Sequence, residues 1–333
     1  MATLLKLVFC CLLSVVNVMP LGISPLVDFA FKKIFGSPEN AISLIGLLNA
    51  VLQPDAPITD VHILNPFNYQ EFQDDKQIVL DVRARDSHGR SVNIEMQVSR
   101  SGGLLQRLNF YAASMYVDQL QSGDDYRTLR QAISICFLNQ RLFLDSDQPQ
   151  HRFQQVDLCS GRVLPSGIEV HTIELPKYNL SVPEIREASE IEQWVFFMLS
   201  ADQFDGQRLR ELLPRIEFQQ AISVVERIAE KTEDRLMYDQ REKALRDYQW
   251  TINSAREEGR IEGLEQGLEQ GLEQGLEQGE QRGRRATLID TIHMLEDLLG
   301  DSMTDGSTLL TQPLDSLTAQ VTQLRHRLRG RDI

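Results

Sequence analysis

The sequence predicts an α/β fold, a mixed β-sheet flanked by helices and continued at the C-terminus by a helical extension. Three observations carry this. Residues 77–86 (QIVLDVRARD) and 90–99 (RSVNIEMQVS) each alternate apolar and polar side chains with a period of two. Residues 132–140 (AISICFLNQ) form the continuous apolar run of a strand covered on both faces. Helical spacing precedes the alternating pair, separates it from the apolar run, and dominates the chain after about residue 184.

In chain order, residues 24–53 read as helix, with Ser24-Pro25 as cap and first turn and Leu26, Phe29, Ala30 and Ile34 as an apolar stripe. A second helical stretch at about 38–53 carries Ile42, Leu44, Ile45, Leu47 and Leu48, and Pro54–Pro57 ends it. VHILNPF at 61–67 is a short strand. The alternating pair is joined by Ser87-His88-Gly89, whose glycine can take the positive φ of a tight hairpin turn. Residues 104–121 return to helical spacing through Leu104, Leu108, Tyr111 and Met115, and further strands follow around 153–178 in FQQVDLCS and EVHTIELPKY. From 184 to 250 the pattern is amphipathic helix, with Trp194, Phe196, Phe197 and Leu199 as core.

A low-complexity tract follows, in which glycine recurs every fourth residue from Gly259 to Gly283 and Leu264, Leu268, Leu272 and Leu276 keep the same step. A four-residue period advances 400° per repeat, so each stripe drifts around a helix, unlike a heptad seam. Each glycine costs about 0.8–1 kcal/mol relative to alanine, so an isolated helix here is weak. The tract is read either as a self-association surface or as a solvated, semi-flexible spacer. The segments Leu288–Leu299 and Leu314–Leu328 read as a small helical hairpin. The chain thus divides into 1–18, an apolar leader or mis-assigned start; 19–250, a folded domain; 251–285, the repeat linker or helix; and 286–333, the tail.

The 333 residues are 42% hydrophobic, ample for a large core. The net charge of −14 argues against a molecule coated in positive potential, but local charge decides what a site attracts. Between Lys76 and Arg107 the balance reverses: Lys76, Arg83, Arg85, Arg90, Arg100 and Arg107 stand against Asp81, Asp86 and Glu95. The four cysteines show neither zinc spacing nor a disulfide framework, and Cys136 reads as a buried structural thiol. A reducing cytoplasm fits. The segment 1–18 has signal-peptide length but lacks a small-x-small cleavage site. An upstream start at Met1 in place of Met19, a signal peptide and a buried extra helix all fit it, and the first is the expectation here. No stable membrane insertion is expected.

Folding the alternating pair about His88 sets Asp81 opposite Glu95, with Gln97 on the same face. Like charges facing each other across a ladder repel, and a divalent cation would reconcile them. Asp81 and Glu95 would hold Mg²⁺ through carboxylate oxygens and Met96 through its backbone carbonyl, while Gln97 could orient a water. Arg107 and Arg83 are candidate phosphate ligands. Each acid taken alone also reads as a solvated strand residue, so spacing leaves both readings open.

ISPLVDFAFKKIFG, LDVRARDSHGRSVNIEMQ, RLNFYAASMY and IELPKY, in that order, resemble the PD-(D/E)XK nuclease family of transposases and recombination-promoting nucleases, over about residues 19–250. The resemblance implies a restriction-endonuclease-like sheet, Asp81 and Glu95 as metal-binding acids, Gln97 at the position of the family's lysine, and Asp28 as an accessory acid. A glutamine cannot supply the positive charge of a lysine, although this branch commonly carries ExQ. The leading expectation is a Mg²⁺-dependent DNA endonuclease that promotes recombination. A catalytically silent nucleic-acid- or protein-binding module, and an assembly protein acting through the 259–283 repeat as a homo-oligomer, compete with it.

Overall fold

The computed structural model describes residues 19–68, 81–97, 102–164 and 167–330, with Asp81 described by its backbone alone. The leader at 1–18, Lys76 and Arg100 lie outside these residues. The chain divides into two compact units, one up to Gln249 and one from Trp250.

The first unit opens with α1 (Asp28–Phe35) and α2 (Ala41–Leu52). The helical reading of 24–53 is therefore interrupted. Gly36 closes α1 through its N–H to the Lys32 carbonyl, and Pro38 starts a short 3₁₀ turn, Pro38–Asn40, because its ring has no N–H to continue a helix. Six strands follow: β1 (Val61–Ile63), β2 (Asp81–Asp86), β3 (Ser91–Gln97), β4 (Ala132–Leu138), β5 (Gln150–Phe153) and β6 (Ile168–Glu174). They form one sheet in the order β1-β2-β3-β4-β6-β5. The β1/β2, β2/β3 and β5/β6 pairs are antiparallel, and β3/β4 and β4/β6 are parallel, so the sheet is mixed as predicted.

The expected strand beginning at Phe153 is displaced. Only Phe153 lies in β5, and the chain then turns back on itself through an isolated bridge, Val156 to Val163. Asp157 makes that turn, accepting from the Cys159 N–H and the Ser160 hydroxyl, with Gly161 at φ +68°.

One face of the sheet is apolar. Val82, Ala84, Val92, Ile94, Met96, Ile133, Ile135, Phe137 and Ile173 are buried there beneath α1, α2, α4 (Glu190–Ser200) and α6 (Ile216–Glu230), with α5 (Gly206–Leu212) beside them. Trp194 centres this core, its ring 4.3 Å from Phe218 and 5.5 Å from Phe35. Gly46 permits the close approach of α2 and α6, since a Cβ there would lie 2.6 Å from Glu217 Cγ. The other face is covered more sparingly by α3 (Leu104–Val117), whose Leu104 and Leu108 pack on Cys136, Leu138 and Val170.

A single helix, α7 (Thr232–Leu299), runs through the whole glycine-leucine repeat. In the first unit its opening turns are anchored by the Tyr238 hydroxyl, which accepts the Ser24 N–H, and by Lys33 on Asp234 at 2.5 Å. The repeat leucines are exposed, Leu268 by 75%. In the second unit the end of α7 packs through Ile292, Leu295 and Leu299 on α8 (Gly306–Thr311) and α9 (Leu314–Arg329). No helix among the described residues is long and apolar enough to cross a membrane.

Candidate active site

The β2–β3 hairpin is built around Asp86. Its buried carboxylate accepts the His88 and Arg90 N–H groups and the Arg90 Nε at 2.6 Å, fixing a turn in which Gly89 takes φ +76°. Arg90 is thereby neutralised and drops out of the local positive balance. The turn sets the register, and Asp81 faces Glu95 with Arg83 opposite Asn93.

Backbone direction sharpens this pairing. Asp86 N–H donates to the Arg90 carbonyl, so even-numbered residues of β3 bond towards β2. Ser91 N–H donates to the Gln131 carbonyl, and the Gln97 carbonyl accepts from Asn139 N–H, so odd-numbered residues bond towards β4. Asp81 and Glu95 are consequently a non-hydrogen-bonded pair, the closer of the two kinds, with Cα atoms about 4.5 Å apart. The Met96 carbonyl is directed to the β2 side, where position 81 lies.

Glu95 and Gln97 share the sheet face covered by α3. Arg107, in the second turn of that helix, donates through Nη2 to Glu95 Oε1 at 2.6 Å and to Gln97 Oε1 at 2.5 Å. Its side chain is 34% exposed and that of Glu95 only 12%. Arg107 Nε is buried and finds no hydrogen-bond partner among the described residues. Next across the sheet from Glu95 lies Cys136. Its thiol pKa is pushed well up, first by burial and then by the Glu95 charge, with Arg107 opposing. The thiol is held protonated and inert, in keeping with its structural reading.

Arg83 stands two residues along from Asp81 on the same face and is exposed. Two further basic groups extend this line. Arg85 and His62 are cross-strand partners, both exposed, on the part of the sheet beyond α3. The sequence reading counted Arg85 as local charge without assigning it and did not single out His62. The signal for His62 was its place as the polar middle residue of VHI, which only the β1–β2 register converts into a neighbour of Arg85. Asp28 is buried at the start of α1, where it accepts the Phe29 N–H at 2.8 Å and lies 3.6 Å from Arg241 of α7.

Among the described residues, which exclude the Asp81 side chain, no three His, Cys, Asp or Glu side chains gather to hold a metal ion. The Glu95 carboxylate, the Met96 carbonyl on the β2 side and the carboxylate that residue 81 carries at the paired position are all hard oxygen donors by type. That chemistry fits Mg²⁺ rather than a soft, thiolate- or imidazole-binding ion.

A family model described as PD-(D/E)XK nuclease family transposase matches residues 25–255. No curated protein and no solved structure matches the chain.

Proposed function

We propose that this chain, which belongs to the PD-(D/E)XK nuclease family of transposases, is a divalent-metal-dependent DNA endonuclease. The observation that carries this reading is the close pairing of Asp81 with Glu95 on a sheet face where Arg83, Arg85 and His62 lie exposed. Two acids set together, with one Arg107 guanidinium on Glu95, leave negative charge for a further cation to balance, and a row of basic groups beside them suits a phosphate backbone.

Asp81, Glu95 and the Met96 carbonyl would hold Mg²⁺, which when bound supplies positive charge to the scissile phosphate and acidifies a water. Arg83 and Arg85 hold the backbone in register by contacts that carry no base information. Hydrolysis forms a bond from the water oxygen to phosphorus while the bond from phosphorus to one ester oxygen breaks. The water's proton passes to solvent, and the departing oxygen takes one from solvent. Asp28, the expected accessory acid, lies at the N-terminus of α1, where a negative charge is favoured, 3.6 Å from Arg241.

The free DNA ends so produced are what strand exchange consumes, which is how the activity would promote recombination. An exposed Cys159, without a disulfide among the described residues, suits a reducing cytoplasm. The exposed leucines of α7 are the surface through which a homo-oligomer would form. Nicking of supercoiled plasmid with and without Mg²⁺ tests the central reading. Wild type should nick only with the metal, and Asp81→Ala should not nick at all. Salt-sensitive DNA binding without metal-dependent nicking would leave a nucleic-acid-binding module in its place.

A further inference from the structure

We propose that Arg107 supplies, from α3, the positive charge that Gln97 cannot, and that Gln97 is a positioning residue that holds the guanidinium in place. The inference rests on the nuclease reading and deepens it.

Three observations converge. The same Nη2 donates to Glu95 Oε1 and Gln97 Oε1, the two side chains that follow one another along the site face of β3. A guanidinium bridging these two acceptors sits where negative charge would accumulate on the phosphate in the transition state. Second, the buried Nε has no acceptor among the described residues. A buried donor left unmet is costly, and an oxygen of an arriving phosphate would satisfy it. Third, the residue types at 97 and 107 are interdependent. An amide oxygen accepts from a guanidinium, whereas a lysine at 97 would bring a second cation to within hydrogen-bonding distance of the first. In this chain the positive charge stands on the helix, and the strand position is its acceptor.

A salt bridge serving stability alone would need only Glu95. It would not require an amide acceptor at the next same-face position, nor leave Nε buried and unmet among the described residues.

The test is an exchange. Plasmid nicking at saturating Mg²⁺, DNA affinity in Ca²⁺ and Mn²⁺ affinity are measured for wild type, Arg107→Gln, Gln97→Lys and the double variant. Arg107→Gln should lower kcat by about 10²-fold, the usual loss for one transition-state donor. Its DNA affinity should stay within about twofold of wild type, since a single displaced phosphate contact is at most a small part of the total. Its Mn²⁺ affinity should not fall, because a cation has been removed from beside Glu95. Gln97→Lys alone should also be impaired, by crowding two positive charges. The double variant, with lysine as the one cation at these two positions, should recover to within about tenfold of wild type.

Equal kcat in wild type and Arg107→Gln overturns the proposal, as does a loss found wholly in DNA affinity or a double variant no better than Arg107→Gln. If Arg107→Gln does not fold, Arg107→Lys decides. It keeps the charge and must retain at least about a tenth of the rate, and a complete loss overturns the proposal. A wild type that never nicks defeats the nuclease reading itself, and is told apart from failure of the Arg107 assignment, in which wild type and Arg107→Gln nick alike.

Discussion

The two faces of β3 are buried alike and chemically opposed. Val92, Ile94 and Met96 point into the main core beneath α1, α2, α4 and α6. Asn93, Glu95 and Gln97 point towards α3 and its small cluster of Leu104, Leu108, Cys136, Leu138 and Val170. Burial therefore does not distinguish the core face from the candidate site face along this strand. What does is the cost of each face. The apolar side chains gain about 25 cal/mol per Å² removed from water. A carboxylate loses hydration and needs a compensating charge, which Arg107 provides.

The contrast breaks most visibly at neighbouring positions. Glu95→Gln should abolish Mg²⁺-dependent nicking, by about 10³-fold or more, while circular dichroism still reports a folded chain, at a cost in melting temperature for the lost Arg107 pair. Ile94→Ala, one residue away, should cost about 2–5 kcal/mol in urea unfolding and leave the rate per folded molecule unchanged. A Glu95 variant that unfolds, or an Ile94 variant that is stable but inactive, would erase the distinction between the faces.

A smaller effect should come from a second buried acid, Glu169 in β6, which accepts from Arg152, Gln131, Gln154 and His171. Burial alone would raise its pKa, yet the hydrogen bonds from His171, Arg152 and Gln154 and the His171 charge pull it down to about 2. A depressed folded-state pKa contributes stability that is present above the ordinary value of 4.5 and lost as pH falls from there towards 2. Glu169→Gln should remove that acid-side loss, read as melting temperature against pH, without altering nicking. Smallest of all, Arg83→Ala and Arg85→Ala should each weaken DNA binding uniformly across sequences and lower the salt slope by about one.

Much of the candidate site was legible because a hairpin turns counting into geometry. Period-two alternation, a glycine at the turn and equal arms were enough to place Asp81 opposite Glu95. Arg107 was visible as a basic residue on the following helix, but its seat on Glu95 and Gln97 depends on how α3 packs across three strands, which no local pattern encodes. QHRF of β5 lacks apolar alternation, so its strand was read late, in the turn that follows it. The glycine repeat suggested a weak helix, yet α7 continues through it, since the Leu, Glu and Gln between the glycines are good helix formers. The break at Gly36-Ser37-Pro38 was written in the sequence and lay inside what read as one helical stretch.

The most direct measurement is Mn²⁺ binding followed by electron paramagnetic resonance on the wild type, Asp81→Asn and Glu95→Gln. If the facing acids of β2 and β3 grip a hard cation together, the wild type binds one ion per chain and either substitution releases it. Binding that persists undiminished in both variants would contradict the account.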